Sequence, residues 1–164
     1  MQRRDFLHTG IGLAAIGALR ADSAAAAEPP KRLRVGLVGC GWYGKTDLFH
    51  LIQVAPVEVV GLCDVDTNMR EAAAALVAKR QPSGNTPPLF GDYRTLLADT
   101  KPEIVLVGTP DHWHCLPMIA ACEAGADVYV QKPISFDVVE GRAMVELVLQ
   151  GEGLGDRPAR PSSA

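Results

Sequence analysis

The sequence has little of several features that would assign it to a specialised class. It contains only four cysteines among 164 residues, and none of them forms a Cys-x-x-Cys pair. This excludes a disulfide-rich scaffold and gives no spacing typical of a metal site. The formal net charge is −3, so no basic excess points to nucleic acid or to an anionic membrane surface. Aromatic residues make up 5%, but 48% hydrophobic residues supply enough apolar material for one folded domain.

Long hydrophobic runs are also lacking. The apolar stretch over residues 9–19 is about half of the ~20 residues that span a bilayer. It follows Arg3 and Arg4 and precedes an alanine-rich stretch that ends near residue 27. This order predicts a secretory signal peptide over residues 1–27, and the adjacent arginines indicate the bacterial twin-arginine type. The alternative is an amphipathic N-terminal helix. The signal predicts a periplasmic or exported protein with no membrane partner once the signal is removed.

Beyond a linker at residues 28–32, apolar segments of strand length alternate with segments of helical composition. Continuous apolar runs such as Leu33–Val38 are typical of strands buried on both faces of a parallel sheet. The alternation predicts an α/β fold: a Rossmann-type doubly wound parallel sheet, forming a single domain over residues 33–150. A Gly/Pro/Ser-rich tail over 151–164 is predicted to be disordered. The predicted strands are 33–38, 57–63, 103–107 and 127–130, with a minor strand near 89–90, and the predicted helices are 45–54, 67–80, 92–98, 115–123 and 137–149.

A glycine-rich loop directly follows the first predicted strand. Gly39, Gly41 and Gly44 form a G-x-G-x-x-G pattern that opens the first helix. In that context the first glycine permits a tight turn, the second a close approach of a pyrophosphate, and the third close packing of helix and strand. The free N–H groups and the positive dipole end of the helix favour phosphate. The loop predicts dinucleotide binding.

An acidic residue stands where such a loop needs one. Asp64 ends the second strand, 20 residues after Gly44, where its carboxylate can accept hydrogen bonds from the ribose hydroxyls of the adenosine. The same carboxylate repels a 2′-phosphate, and no arginine follows it directly. We therefore predict NAD as the cofactor, with NADP less favoured.

The same glycines fit a second pattern. Gly39 and Gly44-Lys45-Thr46 satisfy the phosphate-loop formula G-x-x-x-x-G-K-[ST]. The acidic residue expected after a later apolar strand is displaced to Asp111. Phosphate-loop nucleotide binding is kept as a minor alternative.

Two later segments follow the third and fourth strong strands. Residues 108–114 read GTPDHWH, and residues 131–135 read QKPIS. Together with the glycine loop, Asp64 and GDYRTLL at 91–97, they resemble the N-terminal domain of the Gfo/Idh/MocA family, NAD(P)-dependent oxidoreductases such as glucose–fructose oxidoreductase and inositol dehydrogenase. The resemblance runs in unbroken order over residues 33–144. It implies hydride transfer on a sugar or polyol-type substrate, with a dinucleotide and a sugar-like small molecule as partners.

The resemblance also implies roles for individual residues. Thr109-Pro110 and His114 correspond to the family's Thr-Pro-x-x-x-His turn against the cofactor, and Lys132-Pro133 to its Glu-Lys-Pro motif, whose lysine reaches substrate and nicotinamide. Gln131 stands where the family usually has Glu, so the charge that would tune the lysine is lost. The implied catalytic residues are Lys132 and His114. The implied cofactor-binding residues are Gly39, Gly41, Trp42, Tyr43, Gly44, Asp64, Thr109, Pro110, His112, Trp113, Lys132 and Pro133.

Several of these residues have structural interpretations as well. His112 and His114 fit satisfied turn histidines, and Lys132 fits an exposed charge. Trp42 and Trp113 fit either core residues or walls of a nicotinamide pocket. Without the family context these interpretations stay open.

Three other side chains are interpreted structurally. Ser135 is interpreted as a helix cap rather than a nucleophile. Cys40 and Cys63 end adjacent strands, and we interpret them as buried small hydrophobic residues rather than as a disulfide.

The family's enzymes continue into a second, larger α/β domain that supplies most of the substrate pocket and the oligomer interface. No segment of this sequence matches that domain, and a truncated or frame-shifted reading frame is one interpretation. We expect a cofactor-binding domain that is inactive alone and lacks the family's oligomer interface. The alternatives are a stand-alone nucleotide-binding or partner-binding module without catalysis, and a nonfunctional remnant.

Overall fold

Five strands and five helices alternate along the described part of the chain in the order that the sequence predicts. The computed structural model describes residues 31–153. The strands are β1 (Leu33–Val38), β2 (Val57–Cys63), β3 (Leu89–Phe90), β4 (Ile104–Val107) and β5 (Asp127–Val130). The helices are α1 (Trp42–Val54), α2 (Thr67–Ala78), α3 (Tyr93–Thr100), α4 (Cys115–Glu123) and α5 (Val138–Gly153), with a single 3-10 turn at Asp111–Trp113 before α4.

All five strands form one parallel sheet in the order β3-β2-β1-β4-β5. The chain therefore winds outward from β1 in both directions. This confirms the doubly wound Rossmann-type sheet. Parallel strands place their carboxyl ends at one edge, so the segments after β1, β2, β4 and β5 meet there. Backbone hydrogen bonds continue past the strands, as from Gly108 N–H to the carbonyl oxygen of Val38 (2.8 Å) and from Gln131 N–H to that of Val107 (2.9 Å).

Helices cover both faces of the sheet. On one face α1 and α2 pack with the strands around Leu48 and Val77, and on the other face α3 and α4 pack around Leu96 and Ala121. The last helix, α5, packs on α4, where Met144 lies against Cys115 and Met118. Burial of the strands on both faces is the reason they appear in the sequence as continuous apolar runs.

Two expectations about where helices begin and which residues cap them were wrong. Helix α1 begins at Trp42 rather than at Lys45, because Gly41 already occupies the N-cap position in an extended conformation. Helix α5 begins after Asp137, whose Oδ1 accepts a hydrogen bond from the N–H of Glu140 (2.9 Å), so this aspartate rather than Ser135 caps it.

The other helix bounds differ slightly from the predicted ones. Helix α2 ends two residues earlier, at Ala78, and helix α3 spans Tyr93–Thr100 with Asp92 as its N-cap. Helix α5 continues to Gly153, beyond the predicted helix end at residue 149. The predicted signal peptide and residues 154–164 of the predicted tail lie outside the described residues. Over residues 31–153, no helix has the length and apolar character needed to cross a bilayer.

Candidate functional site

The loop between β1 and α1 is pressed against the end of β4. Gly39 has a φ of +93°, a backbone conformation that residues with a side chain rarely adopt. A Cβ built on it would lie 2.5 Å from the carbonyl carbon of Gly108. Its N–H donates to the carbonyl oxygen of Cys63 (2.8 Å), which ties the loop to the end of β2. The tight turn predicted for Gly39 is therefore needed for contact with both neighbouring strands.

The third glycine of the loop allows backbone to touch backbone. A Cβ on Gly44 would lie 2.0 Å from the carbonyl oxygen of Gly39, and a Cβ on Gly108 would lie 2.7 Å from the Cα of Gly44. Real Cβ contacts are not made at such distances. Helix α1 therefore approaches the ends of β1 and β4 as closely as glycine permits.

The second glycine, in contrast, borders open space. A Cβ on Gly41 would have no atom within 4 Å, and its φ of −65° suits any residue. The fold itself does not require glycine at this position. Gly41 stands at the N-terminus of the 13-residue helix α1. Unpaired N–H groups of the first turn and the positive helix dipole meet at this point. A space next to such an N-terminus fits the pyrophosphate of a dinucleotide.

Asp64 is locked beside the loop by two backbone hydrogen bonds. Its Oδ2 accepts from the N–H of Cys40 (2.7 Å), and its Oδ1 accepts from the N–H of Asp66 (3.0 Å). The guanidinium of Arg70 donates to the Asp64 carbonyl oxygen. Each carboxylate oxygen has a further lone pair for a ligand hydroxyl. The carboxylate thus has a fixed position next to the glycine loop, as the sequence spacing predicts.

The two cysteines at this edge are buried free thiols. Burial is the main cause that raises the pKa of Cys40 and of Cys63 to about 12, and the neighbouring Asp64 carboxylate raises both further. The Sγ of Cys40 donates to the carbonyl oxygen of Cys63 at 3.6 Å. Both thiols are neutral at ordinary pH and serve as small core residues, as expected.

His114 connects the two segments that follow β4 and β5. It is 2% exposed, its Nε2 lies 2.7 Å from the Thr109 carbonyl oxygen, and its Nδ1 lies 2.6 Å from the Pro133 carbonyl oxygen. Both ring nitrogens are thus occupied by backbone. This geometry fits a residue that holds two loops together, and the catalytic role predicted for His114 stays a prediction.

Lys132 lies over Tyr43 in the first turn of helix α1. Its Nζ is 5.2 Å from the centroid of the Tyr43 ring, a cation–π distance. Its N–H donates to the Oε1 of Gln131 (2.8 Å), and the Nε2 of Gln131 donates to Oδ2 of Asp47 on α1 (2.8 Å). The peptide bond between Lys132 and Pro133 is cis. The contacts with Tyr43 and, through Gln131, with Asp47 bring the lysine to the helix that begins at the glycine loop.

The remaining aromatic candidates lie at the surface. Trp42 is 71% exposed and meets Tyr43 edge-on with ring centroids 4.6 Å apart, and Trp113 is 49% exposed. The core interpretation of both tryptophans is therefore wrong. His112 is exposed and lies edge-on to Phe136, with ring centroids 6.3 Å apart. Trp113 is tied to the segment after β4, because its carbonyl oxygen accepts from the Thr109 hydroxyl (3.0 Å) and its N–H donates to the Pro110 carbonyl oxygen (2.8 Å).

Three residues of this edge are missing from the predicted set. Gly108 is needed for the contact with Gly44, and Asp47 and Gln131 join α1 to the segment after β5. A glycine directly after the buried strand β4 was a signal for the first. No sequence signal pairs Asp47 with a residue 84 positions later. In the described part of the chain, no three His, Cys, Asp or Glu side chains are grouped as a metal site.

Known proteins share this arrangement of sequence and fold. A glycosyl hydrolase family 109 protein of Akkermansia muciniphila is 28% identical over 113 residues, covering 66% of this chain and 23% of that protein. An inositol 2-dehydrogenase of Salmonella typhimurium is 29% identical over 118 residues, covering 70% of this chain and 32% of its own length. The chain thus spans about a quarter to a third of the curated relatives it matches.

A solved structure superposes on the described fold. It is the WlbA dehydrogenase of Chromobacterium violaceum in complex with NADH and UDP-GlcNAcA, with a TM-score of 0.63, 25% identity, and coverage of 77% of this chain and 36% of that one. The model of the oxidoreductase family with an NAD-binding Rossmann fold matches residues 33–152. That match selects the dinucleotide interpretation of the glycine loop over the phosphate-loop one. The chain belongs to the Gfo/Idh/MocA oxidoreductase family, of which it carries the NAD-binding Rossmann fold.

Proposed function

We propose that residues 33–153 bind NAD(H) at the carboxyl edge of the sheet, for an oxidoreductase that acts on a sugar or polyol. The observation that carries this proposal is the open space at Gly41. That space adjoins the N-terminus of α1, and the N–H of the preceding residue, Cys40, donates to the Asp64 carboxylate. The names of the relatives, an inositol 2-dehydrogenase and a dehydrogenase bound to NADH and a nucleotide sugar, supply the substrate class.

Each part of the site has a task in this proposal. The first-turn N–H groups of α1 bind the pyrophosphate, and the Asp64 carboxylate accepts hydrogen bonds from the adenosine ribose. The ammonium of Lys132 orients a substrate hydroxyl and holds or moves its proton. When bound, NAD supplies the acceptor for a hydride. His114 positions Lys132 and Thr109, because its two ring nitrogens contact the carbonyl oxygens of Pro133, the residue after Lys132, and of Thr109 itself.

A coenzyme titration tests the binding proposal. We expect NADH to bind the purified chain, as measured by calorimetry, and NADPH to bind more weakly because its 2′-phosphate meets the Asp64 carboxylate. The double substitution Asp64→Ser and Val65→Arg removes that carboxylate and adds a cation at a residue that is 90% exposed. It should reverse the preference. No binding of either coenzyme at millimolar concentration would contradict the proposal.

Turnover is proposed to need more than the matched region. The described residues form one nucleotide-binding unit, whereas the relatives are about three to four times as long as the matched part. We expect no NADH to appear at 340 nm when the chain is incubated with NAD⁺ and inositol or hexoses. Formation of NADH by this chain alone would overturn that expectation. Coenzyme binding without turnover, even after a substrate domain is supplied, would favour the stand-alone binding module.

We also propose export through the twin-arginine pathway, on the basis of Arg3 and Arg4 before the apolar run. Residues 1–30 fused to a reporter protein should direct it to the periplasm. Replacing both arginines by lysine should retain the reporter in the cytoplasm while leaving the positive charge unchanged. Equal export of both fusions would contradict the proposal.

A further inference from the structure

The side-chain amide of Gln131 joins two parts of the site. Its Nε2 donates to Oδ2 of Asp47 and its Oε1 accepts from the N–H of Lys132, each at 2.8 Å. An ionised carboxylate only accepts and a backbone N–H only donates, so this pair of partners fixes which way the amide points. Gln131 and Asp47 are both half-buried, which limits competition by water for these bonds.

Helix α1 holds Lys132 at two points, directly at the side-chain ammonium and through Gln131 at the backbone N–H. Tyr43 and Asp47 are four residues apart and therefore lie on one face of the helix. Tyr43 lies under the Nζ of Lys132 at 5.2 Å, while Asp47 holds its backbone N–H through Gln131. The same helix begins at Gly41. The phosphate-binding end of α1 and the lysine are therefore connected through one rigid element.

We propose that Asp47 and Gln131 form a positioning pair that sets the orientation of Lys132 over Tyr43. This inference rests on the proposed function, which assigns Lys132 to the substrate. The glutamine is matched to the aspartate, because a glutamate at position 131 would place two carboxylates 2.8 Å apart. The glutamine that stands in place of the glutamate of Glu-Lys-Pro therefore has a hydrogen-bond partner on α1, and the carboxylate of this pair is at position 47.

The position of Lys132 can be measured without any coenzyme. In the full chain carrying ¹³C-labelled lysine, the Tyr43 ring current should displace the Lys132 side-chain signal, which the Lys132→Arg variant identifies. Gln131→Glu should remove this ring-current shift, because the two carboxylates repel each other. The swapped pair, Asp47→Asn with Gln131→Glu, should restore it, since the amide of the asparagine donates to the new carboxylate.

Two further variants complete the experiment. Asp47→Ala cuts the same contact without creating repulsion and keeps a good helix former, so it should also lose the shift even if Gln131→Glu fails to fold. Asp99→Asn removes an exposed carboxylate from α3 and should change nothing. A Lys132 signal unchanged in Asp47→Ala, or not restored by the swapped pair in a chain of unchanged melting temperature, would overturn the proposal.

This outcome is separable from that of the proposed function. If the lysine signals behave as expected and NADH fails to bind, the positioning pair stands and the cofactor proposal fails. If NADH binds the parent chain and the lysine signal does not respond to Asp47→Ala, the cofactor proposal stands and the positioning pair fails.

Discussion

The carboxylate of Asp64 accepts a hydrogen bond of 2.7 Å from the backbone N–H of Cys40, the residue between the first two glycines of the loop. One side chain at the end of β2 thus fixes the loop that follows β1. A carboxylate that only bound the ribose would not need this hydrogen bond. The spacing of Gly44 and Asp64 along the chain therefore reflects a structural task as well as the ribose binding that we propose.

The space at Gly41 leads to a variant that separates folding from binding. Aspartate and asparagine are good N-cap residues, and a Cβ at position 41 has no atom within 4 Å. We expect Gly41→Asp to keep the free energy of unfolding within about 0.5 kcal/mol of the parent and to lose NADH binding by occupying the space and repelling phosphate. Gly41→Asn, of the same size without the charge, should bind more tightly than Gly41→Asp. Unweakened NADH binding by Gly41→Asp in calorimetry would show that the pyrophosphate lies elsewhere.

A matched pair of alanine substitutions tests the backbone contact of the loop. Gly44→Ala places a Cβ 2.0 Å from the Gly39 carbonyl oxygen, whereas Gly41→Ala places one in open space. We expect Gly44→Ala to lower the free energy of unfolding by about 3 kcal/mol or more, and Gly41→Ala by less than about 1 kcal/mol. Urea unfolding followed by circular dichroism measures both. Similar losses for the two variants would contradict the close contact.

The buried thiols predict a loss of stability in alkaline solution. The pKa of Cys40 and of Cys63 is raised from 9.0 to about 12 in the fold, chiefly by burial. The unfolded chain therefore releases these protons from about pH 9, while the folded chain keeps them until about pH 12. Their contribution is complete below pH 9 and is lost as the pH rises from 9 to 12, with a slope of about 1.4 kcal/mol per pH unit for each thiol.

Substitution of one thiol isolates this effect from other alkaline titrations. Cys63→Ala should reduce the slope of the unfolding free energy between pH 9 and 11 by the share of one thiol. The variant is also less stable at neutral pH, but that offset does not change the slope. A parallel pH dependence of the parent and the variant would show that the thiol does not titrate as its burial requires.

A residue in the left-handed backbone conformation is a position for a stabilising substitution far from the site. Lys101 ends helix α3 with a φ of +42°, where a Cβ is strained and glycine is not. We expect Lys101→Gly to raise the free energy of unfolding by about 1 kcal/mol, and Lys101→Ala, which keeps the Cβ, to give no such gain. Chemical unfolding with NADH affinity as a second readout checks both, because coenzyme binding should not change.

The strands and the glycine loop could be predicted from the sequence for a physical reason. A strand buried on both faces of a parallel sheet is a continuous apolar run, and the loop is fixed by short-range spacing, as from Gly39 to Gly44. Helix α1 starts earlier than the apolar pattern predicts, because its first two residues, Trp42 and Tyr43, are exposed aromatics outside that pattern. The contact of Asp47 with Gln131 depends on the registers of β1, β4 and β5 together, and no local pattern encodes it.

The all-parallel strand order also has a consequence for how the chain reaches its folded state. Strands joined by crossovers cannot begin pairing from a tight hairpin, so every ladder must close a long loop first, and such topologies fold slowly. Asp47 and Gln131 are separated by 84 residues and meet only when the central strands are in register. We therefore expect their hydrogen bond to form late in folding, so that the lysine signal expected over Tyr43 would also report when folding is complete.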